Sequence, residues 1–270
     1  MRLLIAGGTG TLGREIVQVA SDAGHGVRTM SRRPAPPGIG SAGDVTSQWA
    51  RANLVTGEGL ADAVAGVDAI IHAASDPRGD LTVDEHGTRR LAEVARTSGV
   101  RHLVYVSIVG IDRIPFPYYA RKLAAEHVLA ESGVPFSILR ATQFHSFIDM
   151  LLGRAARAAP LVMPLPAGFH VQSVDVRDVA LRLLRALDDG PLGLLPDYGG
   201  PEHLTAWEAA RRWKRARGIR KPLVPFPWFD PASTAFRAGH NTLAADARPE
   251  QRGQLSWSQW LARPIATRPY

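Results

Sequence analysis

Cysteine is absent from the chain. Its absence excludes a disulfide framework, a thiolate metal site and a cysteine nucleophile, and it suits a reducing, cytoplasmic setting. Lysine is scarce. Of the 32 basic residues only Lys122, Lys214 and Lys221 are lysines, leaving 29 arginines. No apolar run approaches the roughly 18 residues of a membrane span, so no membrane partner is expected. The opening Met1–Gly8 reaches glycine after four apolar residues, too short for a signal-peptide core. Nor do the nine histidines fall at ligand spacing, so no metal site is expected.

What is present suits one globular α/β chain. Hydrophobic residues make up 45% of the 270, enough to fold without staples and too many for a disordered chain. The net charge is +7. A basic balance can mark a nucleic-acid partner. Here the arginines are spread along the chain beside many alanines, which points to coding bias, and a small anionic ligand suits the charge as well. The run Arg211–Arg217 reads as a solvated helix face, because Ala209, Ala210, Trp213 and Ala216 give it a side to dock on. Nucleic acid is therefore not the expected partner.

Strands and helices alternate through residue 140. Arg2–Ala6, Val27–Met30, a weak strand at Trp49–Asn53, Asp68–Ala74, His102–Ser107 and Phe136–Leu139 read as strands. Helical periodicity separates most of them and stops at glycines such as Gly24, Gly99 and Gly133. Near-continuous apolar strands in that order imply a doubly wound parallel sheet covered on both faces. Residues 31–48 read as a loop. After about 150 the rhythm breaks. Pro160, Pro164 and Pro166 predict a loop, Val171–Val174 a strand, Asp175–Leu187 a helix, Pro191–Pro201 a loop and Leu204–Arg217 a helix. Trp257 and Trp260 predict one helical face. The expected division is a dinucleotide-binding domain over 1–160 and a small C-terminal substrate lobe over 161–270 that partly completes it.

Gly7-Gly8-Thr9-Gly10-Thr11-Leu12-Gly13 is the strongest signal. Glycines at 7, 10 and 13 allow a tight turn out of the strand, close approach of a pyrophosphate and packing of helix on strand. The helix that starts at Thr11 and Leu12 offers free N–H groups and a positive dipole to phosphate. The second strand ends Met30-Ser31-Arg32-Arg33, without the acid that would bind the 2′-hydroxyl of NAD. Two guanidinium groups and a hydroxyl suit a 2′-phosphate, which favours NADP(H) over NAD(H). The plainer reading is two solvated arginines. Asn53 and Leu54, after the third strand, and Ala73 and Ala74, after the fourth, are further expected cofactor contacts; alanine lets a ribose come close. His72, behind two isoleucines, reads as a core histidine.

Together with Val106-Ser107, Tyr118-x-x-x-Lys122, Leu139–His145 and Val174–Ala180, the glycine pattern resembles the atypical short-chain dehydrogenases/reductases. The branch it resembles is the NmrA-like, sugar-epimerase-like one. The resemblance covers about residues 1–200 and implies a Rossmann fold with NAD(P) across the sheet's C-terminal edge. It implies a catalytic Ser107, Tyr118 and Lys122: a hydroxyl for the substrate oxygen, a proton donor, and an ammonium that lowers the phenol's pKa and holds the ribose. The choice of lysine at 122, where arginine is the usual basic residue, supports a need for a compact ammonium there. The alternative makes Tyr118 and Tyr119 core or cleft residues and leaves Lys122 a ribose contact only. Gln143, Phe144 and His145, after the sixth strand, are expected to line the substrate cleft. Two function classes follow: an NADPH-dependent oxidoreductase acting on a small carbonyl, quinone or similar molecule, and a non-catalytic NAD(P)-binding sensor or assembly protein.

Overall fold

The structure is a computed structural model and describes residues 1–36, 47–76 and 82–264. Pro37, Gly38, Gly40 and Gly43 of the expected loop lie outside the described residues. Two compact units interleave along the chain. The first comprises Met1–Ser107, Ala120–Leu139 and Ala180–Leu195; the second comprises Ile108–Tyr119, Arg140–Val179 and Pro196–Tyr270. The first unit thus draws segments from both sides of residue 160.

A seven-stranded sheet forms from β1 (Arg2–Ala6), β2 (Gly26–Ser31), β3 (Ser47–Arg51), β4 (Ala69–His72), β5 (His102–Ile108), β6 (Phe136–Ala141) and β9 (Gly193–Leu194). Its order is β3-β2-β1-β4-β5-β6-β9. The pairs β1–β2, β1–β4, β2–β3, β4–β5 and β6–β9 are parallel. The order reverses between β1 and β4, which is the switch point where doubly wound sheets bind ligands. All four residues of β4 are buried, as expected of a strand covered on both faces. Helix α1 (Thr11–Asp22) buries Leu12, Ile16, Val19 and Ala20, a stripe at helical spacing. With α2 (Leu60–Val64), α3 (Gly87–Thr97), α4 (Pro117–Glu131) and α6 (Val176–Asp189), it completes the expected α/β alternation. Leu4, Ile70, Leu91, Leu103 and Leu129 form the centre of one apolar cluster in this unit.

In the second unit, α5 (His145–Ala158) and α7 (Ala206–Arg217) bring Ile148, Leu152 and Trp213 together with Trp257 and Trp260 of α9 (Trp257–Ala262). The two tryptophan rings stack with centroids 5.4 Å apart, as their spacing predicts. Three features depart from the sequence reading. Pro164 and Pro166 lie in strand β7 (Met163–Pro166), paired with β11 (Leu223–Phe226). Both strands carry proline and sit in a two-stranded sheet, where an unpaired edge tolerates it. The expected Val171–Val174 strand shrinks to β8 (His170–Val171), paired with β10 (Leu204–Thr205). The loop Pro191–Pro201 contains β9, whose two residues are too few to show alternation. The remaining helix α8 (Pro231–Arg237) starts at a capping box made by Asp230 and Ser233, with proline in its first turn.

Candidate functional site

The glycine loop leaves β1 with Gly7 at φ +82, a conformation that favours glycine. A side chain there would also meet Ala74 Cα at 2.7 Å. Ala73 and Ala74 thus pack against the turn itself, on the β4 side of the switch point. A Cβ on Gly13 would strike the Gly7 carbonyl oxygen and lie 2.7 Å from Gly8 Cα. Gly10 differs, because a Cβ there would meet Gly7 O at 3.2 Å and otherwise open space. Gly10 is also the N-cap of α1. It provides no side-chain cap, and the first turn holds no acid. The amides of Thr11, Leu12 and Gly13 therefore have no acceptor within the helix, since the ladder begins with Arg14 N–H donating to Gly10 O at 3.0 Å.

At the end of β2, Ser31 is buried and its Oγ accepts the Arg33 amide at 3.2 Å. Arg32 and Arg33 are exposed. Neither makes an ion pair among the described residues, while the Arg33 carbonyl accepts the Trp49 indole N–H at 3.0 Å. Beyond β3, Asn53 Oδ1 accepts the Val55 amide at 2.9 Å, a local turn, and Leu54 is buried in the core.

The first unit holds a buried charged cluster that the sequence reading missed. Lys122 Nζ lies 3.9 Å from Asp84 Oδ1 and 4.4 Å from the centre of the Tyr105 ring. Lysine and aspartate are both buried. Asp84 comes from a π-helical turn, Thr82–His86, at the start of α3. Such turns are rare and, where they occur, are frequent at functional sites. The Asp84 carboxylate also accepts Ser75 Oγ at 2.6 Å. Thr88 O–H donates to the Asp84 carbonyl, so it accepts from His72 Nε2 at 3.0 Å. His72 is then neutral with its proton on Nε2; burial first, and Lys122 second, push its pKa down to about 3. Burial likewise pushes Lys122 down to about 8, against the pull of Asp84 and Glu126.

The remaining predicted residues divide. Ser107 is buried on β5, and its Oγ has no hydrogen-bond partner among the described residues. Tyr118 is half-buried in the first turn of α4, four residues before Lys122 on that helix. Tyr119 is buried instead; burial raises its phenol pKa, and its hydroxyl accepts Gln143 Nε2 at 3.3 Å. Gln143 Oε1 in turn accepts Asn241 Nδ2 at 3.4 Å. Phe144 is the half-buried N-cap of α5. His145 departs from expectation. It is 1% exposed, with Nδ1 at 2.8 Å from Ser173 Oγ and Nε2 at 3.0 Å from Leu255 O. Its ring lies against Trp257 and Trp260, and burial pushes its pKa down to about 4. Because α5 begins at His145, its first turn carries the imidazole into the second unit's core and not to a cleft.

Residues 7–189 match the model of a family described as NAD(P)H-binding, more than half of the chain. The chain belongs to this family. This match is in keeping with the resemblance of the sequence motifs to the atypical short-chain dehydrogenases/reductases. It is 31% identical over 249 residues to the (4-alkanoyl-5-oxo-2,5-dihydrofuran-3-yl)methyl phosphate reductase of Streptomyces griseus, covering 91% of this chain and 84% of that one. It is also 29% identical over 203 residues to the photosystem II assembly factor Ycf39 of Trieres chinensis. That match covers 69% of this chain and 60% of Ycf39, so the chain spans less than two thirds of that relative. In fold it resembles a nucleoside-diphosphate-sugar epimerase from Staphylococcus aureus, with TM-score 0.77 at 16% identity, covering 97% of this chain and all of the other.

The residues present fit the dinucleotide that this family binds. Three amides at the N-terminus of α1, with no acid beside them, present a positive end to a pyrophosphate. The open space at Gly10 leaves room for its approach. The orphaned buried Ser107 hydroxyl is a polar atom of the kind a bound group satisfies. No helix among the described residues is long and apolar enough to cross a membrane.

Proposed function

We propose that the protein is an NADPH-dependent reductase of a small carbonyl, quinone or similar electrophile. The observation that carries this reading is Lys122, a lysine in an arginine-rich chain, buried with a carboxylate on the helix that bears Tyr118. A compact buried ammonium is the group that makes a phenol a usable acid near neutral pH. A reduced nicotinamide, when bound, would supply a hydride to the substrate. Tyr118 delivers the proton to the substrate oxygen, Ser107 holds that oxygen, and Lys122 stabilises the phenolate that remains. The likeness to a reductase over 91% of the chain supports the same reading.

NADPH is the cofactor we assign, on the exposed Arg32 and Arg33 beside Ser31 and the lack of an acid there. The test is direct. NADPH oxidation should appear against a panel of quinones, aldehydes, ketones and unsaturated lactones, and should fall with Tyr118→Phe. The likeness to Ycf39 favours a second reading, an NAD(P)-binding assembly or regulatory protein without turnover. Tight NADPH binding with no oxidation across the panel selects it.

A further inference from the structure

We propose that Asp84 is the positioning residue for Lys122, holding its ammonium charged and fixed beneath the sheet's C-terminal edge. The inference rests on the role given to Lys122 above and deepens it. Geometry carries it. A lysine stem of four carbons has many rotamers, and an ammonium this deeply buried needs a counter-charge to stay protonated. The groups facing Lys122 are few. From β4 comes His72, which burial keeps neutral and whose Nε2–H donates to Thr88. From β5 comes the face of Tyr105, which attracts a cation weakly. From its own helix comes Glu126, one turn on. From the π turn comes Asp84, at 3.9 Å, fully buried.

Asp84 sits in the π turn Thr82–His86, buried, with its carboxylate accepting Ser75 Oγ and, at 3.4 Å, the Asp76 amide. A carboxylate held by two donors and unable to turn away is a rigid anchor for the lysine. Asn in its place would keep the shape and drop the charge, so Asp84→Asn separates the two contributions.

The experiment uses the full chain and needs no substrate. With lysine labelled at Cε and Nζ, only three signals arise, and Lys122→Arg identifies the one that belongs to Lys122. In the wild type this signal should titrate near pH 8, in line with its burial. Asp84→Asn should increase its acid dissociation constant about tenfold or more, the effect of removing an opposite charge at this range. An unchanged midpoint in folded Asp84→Asn overturns the proposal. If Asp84→Asn does not fold, the cause must be the abandoned ammonium, and Asp84→Asn combined with Lys122→Met must restore folding; failure to do so also overturns it. In an active enzyme the same shift appears in the pH profile of kcat/KM. A midpoint shift in a protein that shows no turnover supports the Asp84 assignment and counts against the reductase reading alone.

Discussion

One added methyl group, placed at either of two glycines, separates the packing of the dinucleotide loop from its binding. At Gly13 the new Cβ would sit 2.7 Å from Gly8 Cα and against the Gly7 carbonyl. Carbon pairs prefer about 3.5–4.0 Å, so the loop must move by about 1 Å, and backbone atoms cannot rotate aside as a side chain would. Overpacking of this kind costs about 1–3 kcal/mol, offset by the gain of up to about 1 kcal/mol when alanine replaces glycine in a helix. At Gly10 the backbone, φ −75 and ψ 172, suits alanine, and the methyl meets only Gly7 O at 3.2 Å. Gly10→Ala should therefore fold with a stability change under about 1 kcal/mol. Both variants should bind NADPH poorly, Gly13→Ala through the displaced amides and Gly10→Ala through the blocked approach. The assay is thermal unfolding with and without NADPH. A ligand at a hundred times its Kd stabilises by about 2.7 kcal/mol, and each kcal/mol moves Tm by about 2–4 °C in a chain of this class. The wild type should show that increment and both variants should lose most of it. Full NADPH stabilisation of either variant refutes the placement of the pyrophosphate.

Three further outcomes follow from the same geometry. Tyr118→Phe should lower turnover about 10²–10⁴-fold with NADPH affinity unchanged, measured by steady-state kinetics beside calorimetry; unchanged turnover would move the proton to another donor such as Tyr119. Arg32→Ala with Arg33→Ala should cost NADPH binding about 1–3 kcal/mol and leave NADH nearly untouched, while equal losses would show that the arginines do not read the 2′ position. Acid should destabilise the fold through His72 and His145, whose folded pKa values of about 3 and about 4 lie below the unfolded 6.5. The unfolded chain then binds more protons, so their stabilisation is complete above pH 6.5 and lost as pH falls toward 4 and 3, roughly 3–5 kcal/mol for each. Urea unfolding across that range checks the sign, and a flat profile would contradict the neutral buried state of both rings.

Much of the first unit is legible in the sequence because its signals are local. Arg2–Ala6 is a strand by composition and a turn by the glycines after it, and the structure has both with the same bounds. The Lys122–Asp84 pair is not legible, since its partners lie far apart in sequence and meet only in the folded first unit. His145 misled for a related reason. Its place after a sheet strand suggested a ligand-facing group, yet the helix that begins there turns it into apolar surroundings. The β7–β11 pair was hidden by its prolines, which read as loop until a partner strand is seen.

The activity we propose is reduction of a small electrophile with NADPH. The most direct test is to incubate the protein with NADPH carrying deuterium at nicotinamide C4 and a panel of quinones, aldehydes, ketones and unsaturated lactones, and to analyse the products by mass spectrometry. Deuterium is expected on carbon in a reduced aldehyde, ketone or lactone or, where the acceptor is a quinone, hydroquinone is expected in step with the NADPH consumed, with the reaction greatly slowed by Tyr118→Phe. Saturable NADPH binding with neither deuterium transfer nor hydroquinone formation across the panel would refute the reductase reading.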